Sequence, residues 1–165
     1  MTAPDEMPGR AEIAFTRRGS ATGRMRNEIE VAMVRPSGER STLATGEGPF
    51  HGGDATAPPP LAPFVGGLSG CPVTQIHVSA KRLGVTVTGP DVECRAVWDW
   101  ARAARVHETA PGSFAIDATL SSPDPLEAQR APIDAAGRGC VSEQALGRAN
   151  TVRRRLRTPD GFVDA

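Results

Sequence analysis

The chain has 165 residues with 19 basic and 19 acidic side chains, so its formal net charge is zero. This length suits one domain with a substantial core, and the balanced charge excludes the overall positive field that attracts nucleic acid or anionic membranes. No apolar run approaches the ~20 residues of a membrane helix, and the polar N-terminus lacks a signal-peptide layout. Because three cysteines cannot complete a disulfide framework, we expect a cytoplasmic protein with reduced thiols and with no nucleic-acid or membrane partner.

The N-terminal third of the chain predicts a tail, three strands and a long loop. Residues 1–10 predict a flexible tail. Alternating apolar residues predict strands in AEIAFTR, NEIEVAMVR and STLAT, and RGSATGRMR, between the first two, predicts an arginine-bearing turn. The glycine- and proline-rich run GEGPFHGGDATAPPP predicts a loop of 15 residues, a length typical of lids and connectors.

Helices and further strands are predicted for the rest of the chain. The spacing of apolar residues predicts a long helix from about Leu61 to Leu83, which Gly84 ends. Strands are predicted in VTVTG, DVECRAVWDW and SFAIDATLS, followed by a helix in SPDPLEAQRAPIDAAGRG that Pro132 interrupts. A short helix in CVSEQALGR and a final strand in TVRRRLR complete the chain. Runs of strands separated by helices predict an α+β fold with antiparallel sheet, in a single domain over residues 11–165.

Cys71 and Cys140 have similar surroundings. Each follows a glycine-rich step, GGLSG or AAGRG, and each opens a helical segment. Unpaired N–H groups at the start of a helix favour the thiolate, which is the nucleophilic form of cysteine. Pro72 suits the first position of a helix, whereas inside one continuous helix it would produce a kink. Cysteine is also a common buried residue, so these residues alone leave a reactive thiol and a core thiol open.

The remaining candidates for site chemistry suggest structural roles. Cys94 lies on the apolar face of a predicted strand, which favours core packing. His51, His77 and His107 are 26 and 30 residues apart and have no cysteine pair or carboxylate at ligand spacing. We therefore expect no metal and no cofactor.

The segment PPPLAPFVGGLSGCPVTQIHVSAKRLGVTVTG resembles the central helix of the OsmC/Ohr family, the osmotically inducible and organic hydroperoxide resistance proteins. Pro60 stands 11 residues before Cys71, where the family has a helix-leading proline. GRGCVSEQAL is similar to the second cysteine motif of the family. Cys71 and Cys140 are 69 residues apart, close to the separation in the family, and the order of predicted elements matches over roughly residues 11–157.

This resemblance implies an OsmC-like α+β fold, a two-layer arrangement of antiparallel sheet and a long central helix, in an intertwined homodimer. It also implies a thiol peroxidase that reduces organic hydroperoxides. Cys71 would attack the peroxide and become a sulfenic acid, and Cys140 would condense with it to form a disulfide. An external dithiol, such as a lipoyl group, would then reduce that disulfide.

One departure from the family pattern keeps other functions open. Peroxidase members carry a glutamate shortly after the leading proline, and Leu61 and Ala62 occupy those positions here. In the family this glutamate and an arginine of the first hairpin orient the sulfur; we assign that arginine to Arg18, with Arg17 and Arg24 as alternatives. One alternative function is a non-peroxidatic OsmC-like homodimer that binds a small apolar ligand or a partner. Another is a homodimer whose cysteines are core residues.

Overall fold

The computed structural model describes residues 12–103, 106–148, 154–158 and 161–164, with side chains other than those of residues 100–103, 106–108, 158, 163 and 164. The predicted tail therefore lies outside the described residues. The chain forms two compact units, of which the first ends at Phe64 and the second begins at Val65. The single domain over residues 11–165 stays a prediction.

A three-stranded antiparallel sheet makes up most of the first unit. Its strands lie in the order β1 (Ala14–Gly23), β2 (Arg26–Arg35), β3 (Arg40–Gly46). The three predicted strands are confirmed, but the predicted arginine-bearing turn is mostly strand. Gly19 pairs with Ile29 and Ala21 with Asn27, so the hairpin extends to a tight turn at Met25, where φ is 55°. Small and polar residues are accepted here because this part of β1 is exposed.

Polar contacts order the loop between β3 and the long helix. Arg26 Nη1 donates to the carbonyl of Thr56 at 2.8 Å, and the Gly46 N–H donates to the carbonyl of Pro58 at 2.9 Å. A short 3₁₀ turn covers Pro49–His51. The long loop is thus confirmed in position, and it is tied to the sheet at both of its ends.

The second unit consists of helices and two β-hairpins. Helix α1 (Leu61–Leu83), which starts just before the boundary between the units, has the predicted ends. It is followed by β4 (Thr88–Ala103), β5 (Val106–Ser121), α2 (Leu126–Gly139), α3 (Val141–Leu146), β6 (Arg155–Thr158) and β7 (Gly161–Asp164). Strands β4 and β5 form one antiparallel hairpin, and β6 and β7 form another.

Two predictions about this unit were wrong. VTVTG does not form a separate strand, because the Val85 N–H bonds the Ala80 carbonyl at the end of α1 and the Thr86 N–H bonds Asp124 Oδ2 at 2.7 Å. Those donors are therefore not available to a strand ladder. Pro132 does not interrupt α2; its ring is buried, and this packing offsets the backbone hydrogen bond that proline cannot make.

The core of the second unit lies between α1, α2 and the long hairpin. Ile76 of α1, Val92 of β4 and Ala136 of α2 are its buried centre. Alternate residues of β5 pack against that centre, namely Ile116, Ala118 and Leu120. This packing holds the middle of α1 beside the end of α2.

Candidate active site

Cys71 lies inside α1 and not at its beginning. The helix runs without a break through Pro72, which is buried, so the prediction that Cys71 opens a helix was wrong. The prediction holds for Cys140, which ends α2 and is the N-cap of α3. The two cysteines therefore have similar sequence surroundings but different backbone settings.

The fold of the second unit brings these two cysteines together. The two side chains lie close enough to shift each other's pKa, although the residues are 69 positions apart in the sequence. Cys140 is fully buried, with 0% of its surface exposed, whereas Cys71 is partly exposed. Both are free thiols. The pair therefore combines one accessible thiol, Cys71, with one buried thiol, Cys140.

The surroundings shift the pKa values of the two thiols in opposite directions. Burial raises the pKa of Cys71, but hydrogen bonds from the Ser142 N–H, the Cys140 side chain, the Ser142 hydroxyl and the Val141 N–H outweigh it, so the net pKa is lowered. Burial raises the pKa of Cys140, and contact with Cys71 raises it further, beyond the opposing hydrogen bonds from Ser142 and Glu143. Because the thiolate is the nucleophile, this arrangement favours Cys71 for attack and keeps Cys140 protonated.

Residues that sequence reasoning missed hold this pair in place. The Ser142 hydroxyl lies 3.1 Å from Cys140 Sγ. A Cβ added to Gly139 would lie 3.1 Å from Oε1 of Gln75, one turn after Cys71 on α1. The Gln144 amide donates to the Gly137 carbonyl at 3.0 Å and closes the turn between α2 and α3. The only available sequence signals were that Gln75 follows Cys71 by four residues and Ser142 follows Cys140 by two.

Two of the candidate arginines line cavities of the first unit, and Arg17 lines both of these cavities. Arg17 lines a cavity of about 700 Å³ together with Ile29, Leu61 and Phe64. Arg18 lines a smaller one, of about 330 Å³, with Glu30. Neighbouring strand residues point to opposite faces of a sheet, and only Arg17 shares a cavity with Leu61.

Arg24 lies in the exposed turn between β1 and β2. The assignment of the family arginine to Arg18 stays a prediction, and Arg17 is the stronger alternative because it lines the cavity that Leu61 lines and Arg18 does not.

Solved structures identify the family of the chain. An OsmC-like hydroperoxide resistance protein from Jannaschia sp. CCS1 is 60% identical, and the match covers 94% of this chain and 100% of that one, with a TM-score of 0.64. The chain belongs to the OsmC-like hydroperoxide resistance family. The predicted α+β OsmC-like fold is thereby confirmed.

More distant OsmC-like structures share the fold. An organic hydroperoxide resistance protein OsmC from Legionella pneumophila is 18% identical, with a TM-score of 0.60 over 83% of this chain and 91% of that one. An OsmC-like protein of unknown function from Vibrio cholerae is 12% identical, with a TM-score of 0.55 over 82% of this chain and 94% of that one. No family model and no curated protein matches the chain.

Two kinds of feature are absent from the described residues. None of the described helices combines the length and the apolar composition that a membrane crossing requires. The described part of the chain contains no cluster of three or more His, Cys, Asp or Glu side chains that could hold a metal ion.

Proposed function

We propose that this OsmC-like protein reduces organic hydroperoxides by a two-cysteine thiol cycle. The observation that carries the proposal is the proximity of Cys71 and Cys140, a partly exposed thiol of lowered pKa and a buried thiol of raised pKa. The name of the Jannaschia protein supports a hydroperoxide as the substrate class.

In the first step the Cys71 thiolate attacks one oxygen of the hydroperoxide. The O–O bond breaks, the hydroxyl oxygen stays on Cys71 as a sulfenic acid, and the alkoxide leaves as the alcohol after taking from solvent the proton that the Cys71 thiol had released. In the second step Cys140 attacks the Cys71 sulfur, and water leaves as the disulfide forms. An external dithiol, of which a lipoyl group is one example, then reduces the disulfide by thiol exchange.

We also propose that the working form is a homodimer. Large apolar side chains are exposed on the single chain, and such surface is typical of interfaces. They include Phe15, Val34, Phe64, Val78 and Leu83. A second copy of the chain is the partner that the OsmC resemblance implies.

Turnover of cumene hydroperoxide with dihydrolipoamide tests the cycle. We expect the wild type to turn over, Cys71→Ser to be inactive, and Cys140→Ser to turn over more slowly, because its sulfenic acid has no internal thiol and must react with the external dithiol. The matched control is Cys94→Ser, a partly buried cysteine of β4, which should retain activity. A wild type without turnover, or full turnover by Cys71→Ser, would contradict the proposal.

Separate variants test which arginine serves the reaction. Arg17→Ala and Arg18→Ala remove neighbouring guanidinium groups from the two cavities. We expect the functional arginine to be the one whose loss raises KM or lowers kcat, while the other variant behaves as wild type. Wild-type kcat and KM in both variants would exclude this role for Arg17 and Arg18.

Binding of an apolar ligand is the second candidate function. The cavity of about 700 Å³ in the first unit carries apolar side chains, among them Ile29, Leu43 and Leu61, and no carboxylate occupies position 61 or 62. A fluorescent apolar probe should bind the wild type and bind Leu61→Trp more weakly, because the indole fills the cavity. Leu126→Trp, at an exposed leucine of α2, is the control. Unchanged binding by Leu61→Trp would contradict this site.

A further inference from the structure

Arg26 joins the sheet of the first unit to the loop that leads into α1. Its Nη1 donates to the Thr56 carbonyl at 2.8 Å and to the Thr56 hydroxyl oxygen at 3.3 Å. Its Nε and Nη2 donate to Oε1 of Glu28, at 3.1 and 2.8 Å. Glu28 lies two residues further along β2 and on the same face of the strand, so it holds the guanidinium in the orientation that reaches Thr56.

The hydrogen bonds around Thr56 use each proton once. The Nη1 atom of Arg26 carries two protons, which suffice for the carbonyl and the hydroxyl oxygen of Thr56. The Thr56 hydroxyl gives its own single proton to Asp54 Oδ1 at 2.7 Å, and the Thr56 N–H donates to the same oxygen at 3.2 Å. Thr56 is therefore held from two sides, by Arg26 of the sheet and by Asp54 of the loop.

The loop returns to the point at which it leaves the sheet. Arg26 and Gly46 lie directly opposite each other in the pairing of β2 with β3, and the Gly46 N–H donates to the Pro58 carbonyl at 2.9 Å. Residues 47–58 therefore form a surface loop whose two ends lie together, and we call it the anchored loop. Its second end is fastened by the side chain of Arg26 at Thr56 and by the backbone of Gly46 at Pro58.

The fastened end of the anchored loop leads directly to the wall of the large cavity. Pro60 and Leu61, which follow the loop, line the cavity of about 700 Å³ together with Asn27 and Thr45. Asn27 is the neighbour of Arg26 in the sequence, and Thr45 is the neighbour of Gly46. A cavity whose walls are already in place binds a ligand at a lower cost, so the position of this part of the chain should affect affinity.

We propose that Arg26 is a positioning residue, which keeps the anchored loop closed and thereby fixes Pro60 and Leu61 as one wall of the cavity. The effect on a bound apolar ligand rests on the second candidate function, but the closed loop does not depend on it. Loss of the guanidinium leaves the backbone bond between Gly46 and Pro58 in place. The sheet should therefore stay folded while the loop opens more often.

A matched pair of variants tests the anchor without a ligand. Arg26→Met keeps an unbranched side chain without a donor, and Arg26→Lys keeps the charge but not the planar fork. The measurement is the rate at which chymotrypsin cleaves after Phe50, an exposed residue of the anchored loop, followed by mass spectrometry. For Arg26→Met we expect cleavage to be about tenfold faster, because a charge-assisted hydrogen bond is lost and the open fraction rises. Arg26→Lys should show a smaller increase.

Two controls separate local opening from general unfolding. Arg95→Met, at an exposed arginine of β4, makes the same substitution away from the loop and should keep the wild-type rate. Cleavage after Phe114, a partly buried residue of β5, should not change in Arg26→Met. Arg26→Leu replaces Arg26→Met if the latter does not fold, as judged by circular dichroism. A wild-type rate after Phe50 in the variant without the guanidinium would overturn the anchor, and so would an equal increase after Phe114.

Binding of N-phenyl-1-naphthylamine, an uncharged apolar fluorescent probe, tests the cavity wall. We expect Arg26→Met to bind the probe about fivefold more weakly than the wild type, because part of the binding free energy must then order the loop. If the loop opens and both proteins bind the probe equally, Arg26 does not fix the wall and the proposal is overturned. If the loop opens in Arg26→Met and the wild type binds no probe, the anchor is supported and only the second candidate function fails.

Discussion

The three cysteines of this chain differ in chemistry because their surroundings differ. Cys71 receives hydrogen bonds from neighbouring donors that outweigh its burial, and its pKa is lowered. Burial raises the pKa of Cys94, which lies on β4, and burial also raises the pKa of Cys140. Cys71 is therefore the candidate nucleophile, whereas Cys94 and Cys140 favour the protonated thiol.

These directions predict the order in which the cysteines react at neutral pH. A lowered pKa means a larger thiolate fraction below the ordinary pKa of cysteine, and a raised pKa means a smaller one. At pH 7 Cys71 should therefore be alkylated before Cys94 and Cys140, and the difference should narrow as the pH rises toward 9. Time-resolved peptide mass spectrometry of the native protein measures this order. Faster labelling of Cys94 would contradict it.

At the scale of elements, α1 supports the site from its buried face. Ile76 has 2% of its surface exposed and packs at the centre of the core with Val92 and Ala136. Val78 lies on the same helix with 45% exposed. Helix α1 therefore depends on a few buried residues, which lie close in sequence to Cys71.

This difference predicts the effect of two alanine variants. Ile76→Ala should lower the free energy of unfolding by about 2–5 kcal/mol, since it removes buried methyl groups and leaves a cavity. Val78→Ala should lower it by less than half as much. Urea denaturation at one protein concentration measures both values. Equal losses would show that Ile76 does not anchor the helix.

The loop before α1 depends on a close backbone approach. A Cβ added to Gly53 would overlap the carbonyl group of Glu47, whereas one added to Gly48 would meet no atom within 4 Å. Gly53→Ala should lower the free energy of unfolding by about 1–3 kcal/mol because the backbone must shift. Gly48→Ala, in the same loop, should be nearly neutral. The urea midpoints of the two variants check this, and equal midpoints would contradict it.

Helices and strands were predicted correctly where neighbouring residues decide the structure, and wrongly where distant residues decide it. The ends of α1 were predicted because apolar spacing and Gly84, with φ of 69°, act locally. The strand content of RGSATG was missed because pairing with β2 overrides weak local propensity. The strand predicted over Val85 and Thr86 is absent because distant groups take their N–H donors.

At the scale of the whole molecule, exposed apolar side chains predict association. Phe15, Phe64 and Val78 each expose 45% or more of their surface, which is unfavourable for an isolated chain in water. Analytical ultracentrifugation at micromolar concentration should give about twice the chain mass of 17.3 kDa. The thermal midpoint should also rise with protein concentration. A monomer mass at all concentrations would contradict the homodimer.

The sequence by itself determined the family, the α+β class, most of the elements and the choice of Cys71 and Cys140. The class and the elements follow from periodicity and turn residues, which act over short stretches of chain, and the family follows from the resemblance of the two cysteine segments. Only the tertiary structure decided that Cys71 lies within a continuous helix, that its side chain lies near that of Cys140, and that the Ser142 hydroxyl lies 3.1 Å from Cys140 Sγ. These contacts depend on how α1 packs against the end of α2, and no local pattern encodes the distance between side chains that are far apart in sequence.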